Sequence, residues 1–408
     1  MEMKEIHGKT TALLGWSLQA IEAIDKMNRP YVVVGPPEFK PFADKNGIQF
    51  VPWQFNVPIE HSMELYEKLK EFDTKVAVPI YEETVEWAGM LNSLLWENPR
   101  VFNKSLLLRD KALMKRRAHL AGLRVGVFEE AFNKEDVAHF LKRMNEALLN
   151  MDEENYEPIH VKPFDKAGTV GHRMIKKYED IEKIDDSEFP LLMESHLEGQ
   201  EFSCEAFVHN GKVYFLNITE YVKLGHSNFV PASPTLEKWR PKIRETIELL
   251  VKAFEVENGI LHPEFFITPE GTIYFGEVAA RIPGGHIFEH IERVYGFSPY
   301  QGQILCCDPE TTEEELKAFF PEEVVSAKGH SGNLMVYPKV KSISKLNIPK
   351  ELKEHPYFLK HNMFIPATSK VAERVGYGNH YGSIYFFGDD STEMRKLLEQ
   401  YDKHDFYL

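Results

Sequence analysis

Cysteine is scarce in this chain of 408 residues: Cys204, Cys306 and Cys307 are the whole complement, the last two are adjacent, and no C-x-x-C spacing occurs. That excludes a disulfide framework and a zinc knuckle, and it fits a reducing compartment. Long hydrophobic runs are missing too. None approaches the roughly 20 apolar residues of a membrane span, and Met1-Glu2-Met3-Lys4-Glu5 lacks the basic-then-apolar order of a secretory signal. A cytoplasmic location with no membrane partner is expected. Positive charge is in deficit, with 48 Lys and Arg against 63 Asp and Glu and a formal net charge of -15. Such a surface repels a phosphate backbone, so nucleic acid is not expected as a partner. What remains, 43% hydrophobic and 27% charged residues with no repeat, is the composition of a folded protein. The length allows two to four domains, at roughly 100 to 200 residues each.

Several familiar motifs are incomplete. Gly8-Lys9-Thr10 ends like a P-loop, but Met3 stands where the first glycine is needed and no strand precedes it. Gly376, Gly378 and Gly382 miss the dinucleotide spacing and read as turn glycines. His286 and His290 share a helix face without the glutamate of H-E-x-x-H or a third ligand, and there is no G-x-S-x-G elbow. Hydrolysis by an activated nucleophile is therefore disfavoured.

The order of elements is informative. Thr11 to Leu14, a helical segment from Trp16 to Met27, and Tyr31 to Val34 read as β-α-β, and Val76 to Ile80 followed by Thr84 to Trp96 repeats the pattern. A basic helix is expected over Leu106 to Leu120, a polar helix over Lys134 to Asn150, an acidic loop over Met151 to Asn155, and a strand over Ile159 to Lys162. Asn210-Gly211 marks one hairpin and Glu270-Gly271 another, with a long helix from Leu236 to Val256 between them.

The second hairpin carries chemistry. With a two-residue turn at Glu270-Gly271, residues whose numbers sum to 541 face one another, which sets Glu264 opposite Glu277. Opposed carboxylates repel, so they either lie in solvent or hold a cation between them. Phe265, Phe266, Tyr274 and Phe275 make both strands apolar, which favours the cation, and hard oxygen ligands suit Mg²⁺ with substrate phosphates. Arg281 follows Glu277 by four residues and precedes Pro283-Gly284-Gly285, so a guanidinium and a permissive turn stand beside the metal pair as an anion holder. Lys162 ends an apolar strand, where a nucleotide phosphate would meet its charge, and the glycine-bearing loop Asp165 to Gly171 can cover phosphates.

Taken in order, these pieces resemble the ATP-grasp superfamily, over about residues 99 to 300. Arg109-Asp110-Lys111 is similar to the family's first nucleotide lysine, Val161-Lys162-Pro163 to its second, and Leu192 to Glu201 to its adenine hinge. The resemblance implies Lys111 and Lys162 on the phosphates, Glu194 near the adenine amino group, the backbone of Ser195, His196 and Leu197 on the adenine edge, and Glu201 on the ribose. It also implies Glu264 and Glu277 on the metal and Arg281 as the catalytic arginine. Ala279 stands where the family often has asparagine.

The implied fold class is α/β, an α+β ATP-grasp fold. Its parts would be an N-terminal pre-ATP-grasp domain over 1–98, a central lid domain over 99–195, and a C-terminal body over 196–408 with the metal hairpin and an accessory subdomain. The Ala-Ala-Arg-x-Pro-Gly-Gly variant resembles carboxylate-amine ligases of the bacterial L-amino acid ligase type. The implied function is amide or peptide bond formation through an acyl phosphate, releasing ADP and phosphate, with ATP and Mg²⁺ as cofactors and Mn²⁺ as an alternative metal. Small carboxylates and amines are the implied partners, and a homo-oligomer is left open. The rivals are another ATP-grasp ligase, acting on a carrier protein, resembling biotin carboxylase or serving purine synthesis, and a non-catalytic ATP-binding regulator. Glu83, Gly284, Gly285 and the loop Tyr221 to Pro234 are the candidates for contact with substrate.

Overall fold

Thr10–Leu14 (β1), Tyr31–Gly35 (β2), Phe50–Pro52 (β3) and Thr74–Pro79 (β4) form a parallel sheet in the order β3-β2-β1-β4 in the computed structural model. The model describes residues 8–146, 156–166, 168–366, 370–374, 376–378 and 380–408. Apolar runs of this kind need cover on both faces. Ala12 and Leu14 pack with Leu65, Leu69 and Trp87 on one side. Leu13 packs with Ala20, Ile24 and Ile304 on the other.

A second, antiparallel sheet is small. Phe128–Ala131 (β5), Ile159–Lys162 (β6), Arg173–Ile175 (β7) and Leu191–Ser195 (β8) run in the order β5-β8-β6-β7. Helix Lys134–Met144 closes one face through Val137, Phe140 and Leu141. Strand alternation does the rest: Ile159 and Val161 enter that core, so His160 and Lys162 project from the opposite face. The expected extension of the helix from 147 to 150 and the acidic loop at 151–155 lie outside the described residues.

The third sheet has eight antiparallel strands: Gln200–His209 (β9), Lys212–Lys223 (β10), Ser227–Val230 (β11), Gly259–Ile267 (β12), Ile273–Ala279 (β13), His330–Met335 (β14), Phe358–His361 (β15) and Ser383–Gly388 (β16). Their order is β13-β12-β9-β10-β11-β14-β16-β15, so the carboxyl-terminal strands extend this sheet. The stretch read as a loop from 221 to 234 contains the end of β10 and all of β11. Among the described residues no helix is long and apolar enough to cross a membrane.

Two helices differ from expectation for local reasons. The helix expected over Leu106 to Leu120 begins only at Lys111 and runs to Leu120, because the Asp110 carboxylate accepts from the Ala112 and Leu113 amides and starts it there, while Leu106 ends a separate helix, Pro99–Leu106. The long helix splits into Pro234–Glu237 and Arg240–Ala253, with Pro241 in the first turn of the second, where a missing N–H does no harm.

The register of β12 and β13 is the detail that matters most. Ile267 faces Ile273 and Phe265 faces Phe275, pairs that sum to 540, because the turn is wider than two residues. The Thr268 amide donates to the Thr272 carbonyl, and the Gly271 amide to the Thr268 carbonyl. A bulge at Gly276 then adds one residue to β13 and sets Glu264 opposite Glu277. A Cβ on Gly276 would lie 2.8 Å from the Glu264 carbonyl, so only glycine permits this approach.

Candidate active site

The small antiparallel sheet and the eight-stranded sheet converge on one cavity of about 340 Å³, lined by Lys111, Lys162, Glu194, Glu201, Glu264 and Glu277 among others. Its cations come from two directions. The helix begun by Asp110 carries Lys111 and, one turn on, Lys115. Strand β6 contributes Lys162 from its solvent-side face.

The Glu194 carboxylate lies between two of these ammoniums, 2.5 Å from Lys115 on Oε1 and 2.5 Å from Lys162 on Oε2. Although burial opposes ionisation, the two cations hold Glu194 well below the usual carboxylate range. Lys162 is shifted upward by Glu194 and Glu277 against its own burial, whereas burial prevails at Lys115 and pushes it down. Lys115 also donates to the Phe275 carbonyl at 3.1 Å. Glu194, expected near the adenine amino group, has these two lysines as its partners. Lys115 was not singled out from sequence, although its spacing of four from Lys111 puts both on one helix face.

Glu277 Oε2 is 3.6 Å from both Lys111 and Lys162. Burial raises its pKa, but Lys111 and Lys162 prevail and lower it to about 2. Glu201 lacks such partners: burial, with Glu264 and Glu277 nearby, pushes its carboxyl up to about 8. Glu264 accepts from the Tyr221 hydroxyl at 3.2 Å.

A row of three imidazoles forms another wall. His160 Nδ1 is 2.9 Å from His172 Nε2, and His160 Nε2 is 3.0 Å from His196 Nδ1. Burial and the flanking rings lower His160 to about 4, so this central ring is neutral at pH 7. Sequence reading found His196 but not His160 or His172, which alternation on β6 and the glycine loop bring to the same face. Ser195 and Leu197 line the cavity beside His196.

Lys166, Gly168, Thr169 and Val170 of the glycine-bearing loop line the cavity. Lys111 donates to the Lys166 carbonyl at 2.6 Å, and the Tyr377 amide donates to the Gly168 carbonyl at 2.9 Å. The glycines near 376 thus belong to a turn that packs on this loop.

A smaller cleft adjoins the cavity, sharing Lys111, Glu264 and Glu277 with it and adding Glu82, Arg109 and Arg281. Glu82 bridges the arginines, with Oε1 2.5 Å from Arg109 Nη1 and Oε2 2.8 Å from Arg281 Nε. The residue expected from sequence to contact substrate is its neighbour, Glu83. Glu83 precedes helix Thr84–Leu95 and is exposed, while Glu82 enters the cleft. Gly284 and Gly285, also expected near substrate, are not among the residues lining the cavity or the cleft, and the Gly285 carbonyl accepts from Asn228 Nδ2 at 2.9 Å. Ala279 lines the cleft and offers no ligand atom from its side chain.

The donor set suits a hard divalent cation. Glu264 and Glu277 supply carboxylate oxygens at one register position, and Mg²⁺ commonly takes one or two carboxylates with the remainder from water and phosphates.

The ATP-grasp domain profile matches residues 156–289, from just before β6 to beyond the β12–β13 hairpin. Among individual proteins the chain is 25% identical over 268 residues to an L-arginine-specific L-amino acid ligase of Bacillus subtilis, a match covering 61% of this chain and 62% of that one. An L-amino acid ligase of Bacillus licheniformis superposes with a TM-score of 0.75 at 17% identity, over 98% of this chain and 99% of the other. A carboxyaminoimidazole ribonucleotide synthase of Aspergillus clavatus, solved with ATP, superposes with a TM-score of 0.69 at 15% identity, over 97% of both chains.

Proposed function

We propose that this protein is an ATP-dependent carboxylate-amine ligase that joins two L-amino acids into a dipeptide, with ADP and orthophosphate as the other products. A carboxylate resists attack by an amine because oxide is a poor leaving group, so the carboxylate is first phosphorylated and the amine then displaces phosphate. Lys111, Lys115 and Lys162 meet the phosphates, and the loop at 165–171 shields the acyl phosphate from water. Glu264 and Glu277 would hold Mg²⁺, which when bound neutralises charge on the β- and γ-phosphates.

The observation that carries the amino-acid reading is Glu82 between Arg109 and Arg281, beside the phosphate-facing lysines. A carboxylate flanked by guanidiniums is complementary to a zwitterion: Glu82 can take an ammonium while Arg281 takes a carboxylate or the oxyanion formed during attack. The relatives that are L-amino acid ligases support the same choice. The division at 98 and 195 is likewise proposed, supported by the three separate sheets.

The test is phosphate release against pairs of L-amino acids, with nucleotide and peptide products separated by chromatography. The expected result is ADP and a dipeptide only when a productive pair is present. AMP with pyrophosphate would overturn the acyl-phosphate route, and amino-acid-independent turnover would overturn the substrate class.

A further inference from the structure

Glu205 sits fully buried in the middle of β9, and nothing in the proposed chemistry uses it. A carboxylate in such a place is tolerated only when its oxygens are fully partnered. Here each oxygen has two partners. Oε1 accepts from the Ser203 hydroxyl at 3.1 Å and lies 3.0 Å from His262 Nδ1, while Oε2 accepts from Asn217 Nδ2 at 2.6 Å and the Thr219 hydroxyl at 2.7 Å. Asn217 faces Glu205 across the β9–β10 ladder and Thr219 faces Ser203, so one polar cluster is built into an otherwise apolar sheet.

That cluster fixes the imidazole of His262, which is 6% exposed on β12. With Nδ1 committed to Glu205, Nε2 turns toward the site and lies 3.6 Å from Glu264 Oε1. The Tyr221 hydroxyl donates to the same oxygen. Both neighbours therefore meet Oε1, and among the described residues no hydrogen bond reaches Oε2.

We propose that Glu205 and His262 are a positioning pair that holds Glu264 by one oxygen and leaves the other turned to the divalent cation. The proposal rests on the reading of Glu264 as a metal ligand. Partners of this kind, one step behind a ligating carboxylate, fix its orientation, and their loss weakens metal binding by roughly 10- to 100-fold.

The test uses Mn²⁺ as the probe, titrated by electron paramagnetic resonance into the full chain with ADP present, beside thermal melts. His262→Asn keeps a donor where Nδ1 stood, so Glu205 stays partnered, but it withdraws from Glu264. His262→Gln extends an amide toward the Nε2 position. The expected result is Mn²⁺ binding at least tenfold weaker in His262→Asn, recovery of most of that loss in His262→Gln, and cooperative melting in both. Glu205→Gln provides a second route, because the Asn217 Oδ1 atom is unpartnered and its amide can turn to accept from the new donor. It too should weaken Mn²⁺. Binding within twofold of the parent in His262→Asn or Glu205→Gln, or no recovery in His262→Gln, overturns the proposal. Glu264→Gln separates the two levels: if it binds Mn²⁺ like the parent, the metal reading itself fails, and if it alone loses Mn²⁺, only the positioning role fails.

Discussion

Glu194→Gln keeps the shape of a central wall residue and removes its charge. The carboxylate is 8% exposed, with one ammonium on each oxygen at 2.5 Å. Removing one member of a buried ion pair typically costs about 3 to 5 kcal/mol, because the remaining charge is stranded. Two offsets apply here. The amide oxygen still accepts from one lysine, and Glu277 remains 3.6 Å from Lys162. The loss then falls on Lys115, which is 1% exposed and keeps only the Phe275 carbonyl as a hydrogen-bond acceptor. The low end applies, so a destabilisation of about 3 kcal/mol is expected in nucleotide-free protein. Nucleotide should reverse part of it, since a phosphate can meet the stranded ammonium. Chemical denaturation with and without MgATP measures both effects, and the variant should gain more from MgATP than the parent. Equal stability of the two apo proteins would refute the clamp. So would an altered preference for ATP over GTP, because that would return Glu194 to the base.

Glu201→Gln should change the pH dependence of stability without nucleotide. Folding raises the Glu201 pKa from 4.5 to about 8, so the folded state holds the proton longer and parent stability falls as pH rises through that window; melts from pH 4 to 9 should show the variant gaining on the parent up to about pH 8 and level beyond, and parallel curves would refute it. Gly276→Val puts a Cβ 2.8 Å from the Glu264 carbonyl, so it should lower stability by about 1 to 3 kcal/mol and turnover by more than the stability loss explains, measured by denaturation and phosphate release. Arg281→Lys preserves charge but loses the planar two-point grip, and should reduce kcat by roughly 10² to 10³ with little change in ATP affinity; normal kcat and normal amino-acid KM would make Arg281 structural.

Some of this site was legible because short-range rules determine it. The apolar strand β6 ending at a charge put Lys162 in view, and the Asn210-Gly211 turn set the first pairs of β9 and β10. The opposition of Glu264 and Glu277 was reached through two compensating miscounts: the turn is wider than two residues, and the bulge restores the missing step. The rest depends on contacts between distant segments. Nothing near Glu82 in sequence says that Arg109 and Arg281 will reach it, since 199 residues separate Glu82 from Arg281. Glu82 and Glu83 lie at a strand-to-helix junction, where neither the alternation of a strand nor the period of a helix says which of the two turns into the cleft. The buried Glu205 cluster was equally hidden, because four polar residues on two strands read as solvent-facing until the sheet is covered on that side.

The bulge at Gly276 has a consequence for how this hairpin can change over time. Because register is reset between the turn and the carboxylates, the segment at 268–272 is mechanically insulated from the reacting centre. Residues inserted there lengthen a surface loop, at a modest entropic cost that grows slowly with length, while the narrow approach of Gly276 to the Glu264 carbonyl keeps the two acids aligned. The turn end of the hairpin can thereby change in length without moving the acids, and the other end is confined to a single residue type at a single position.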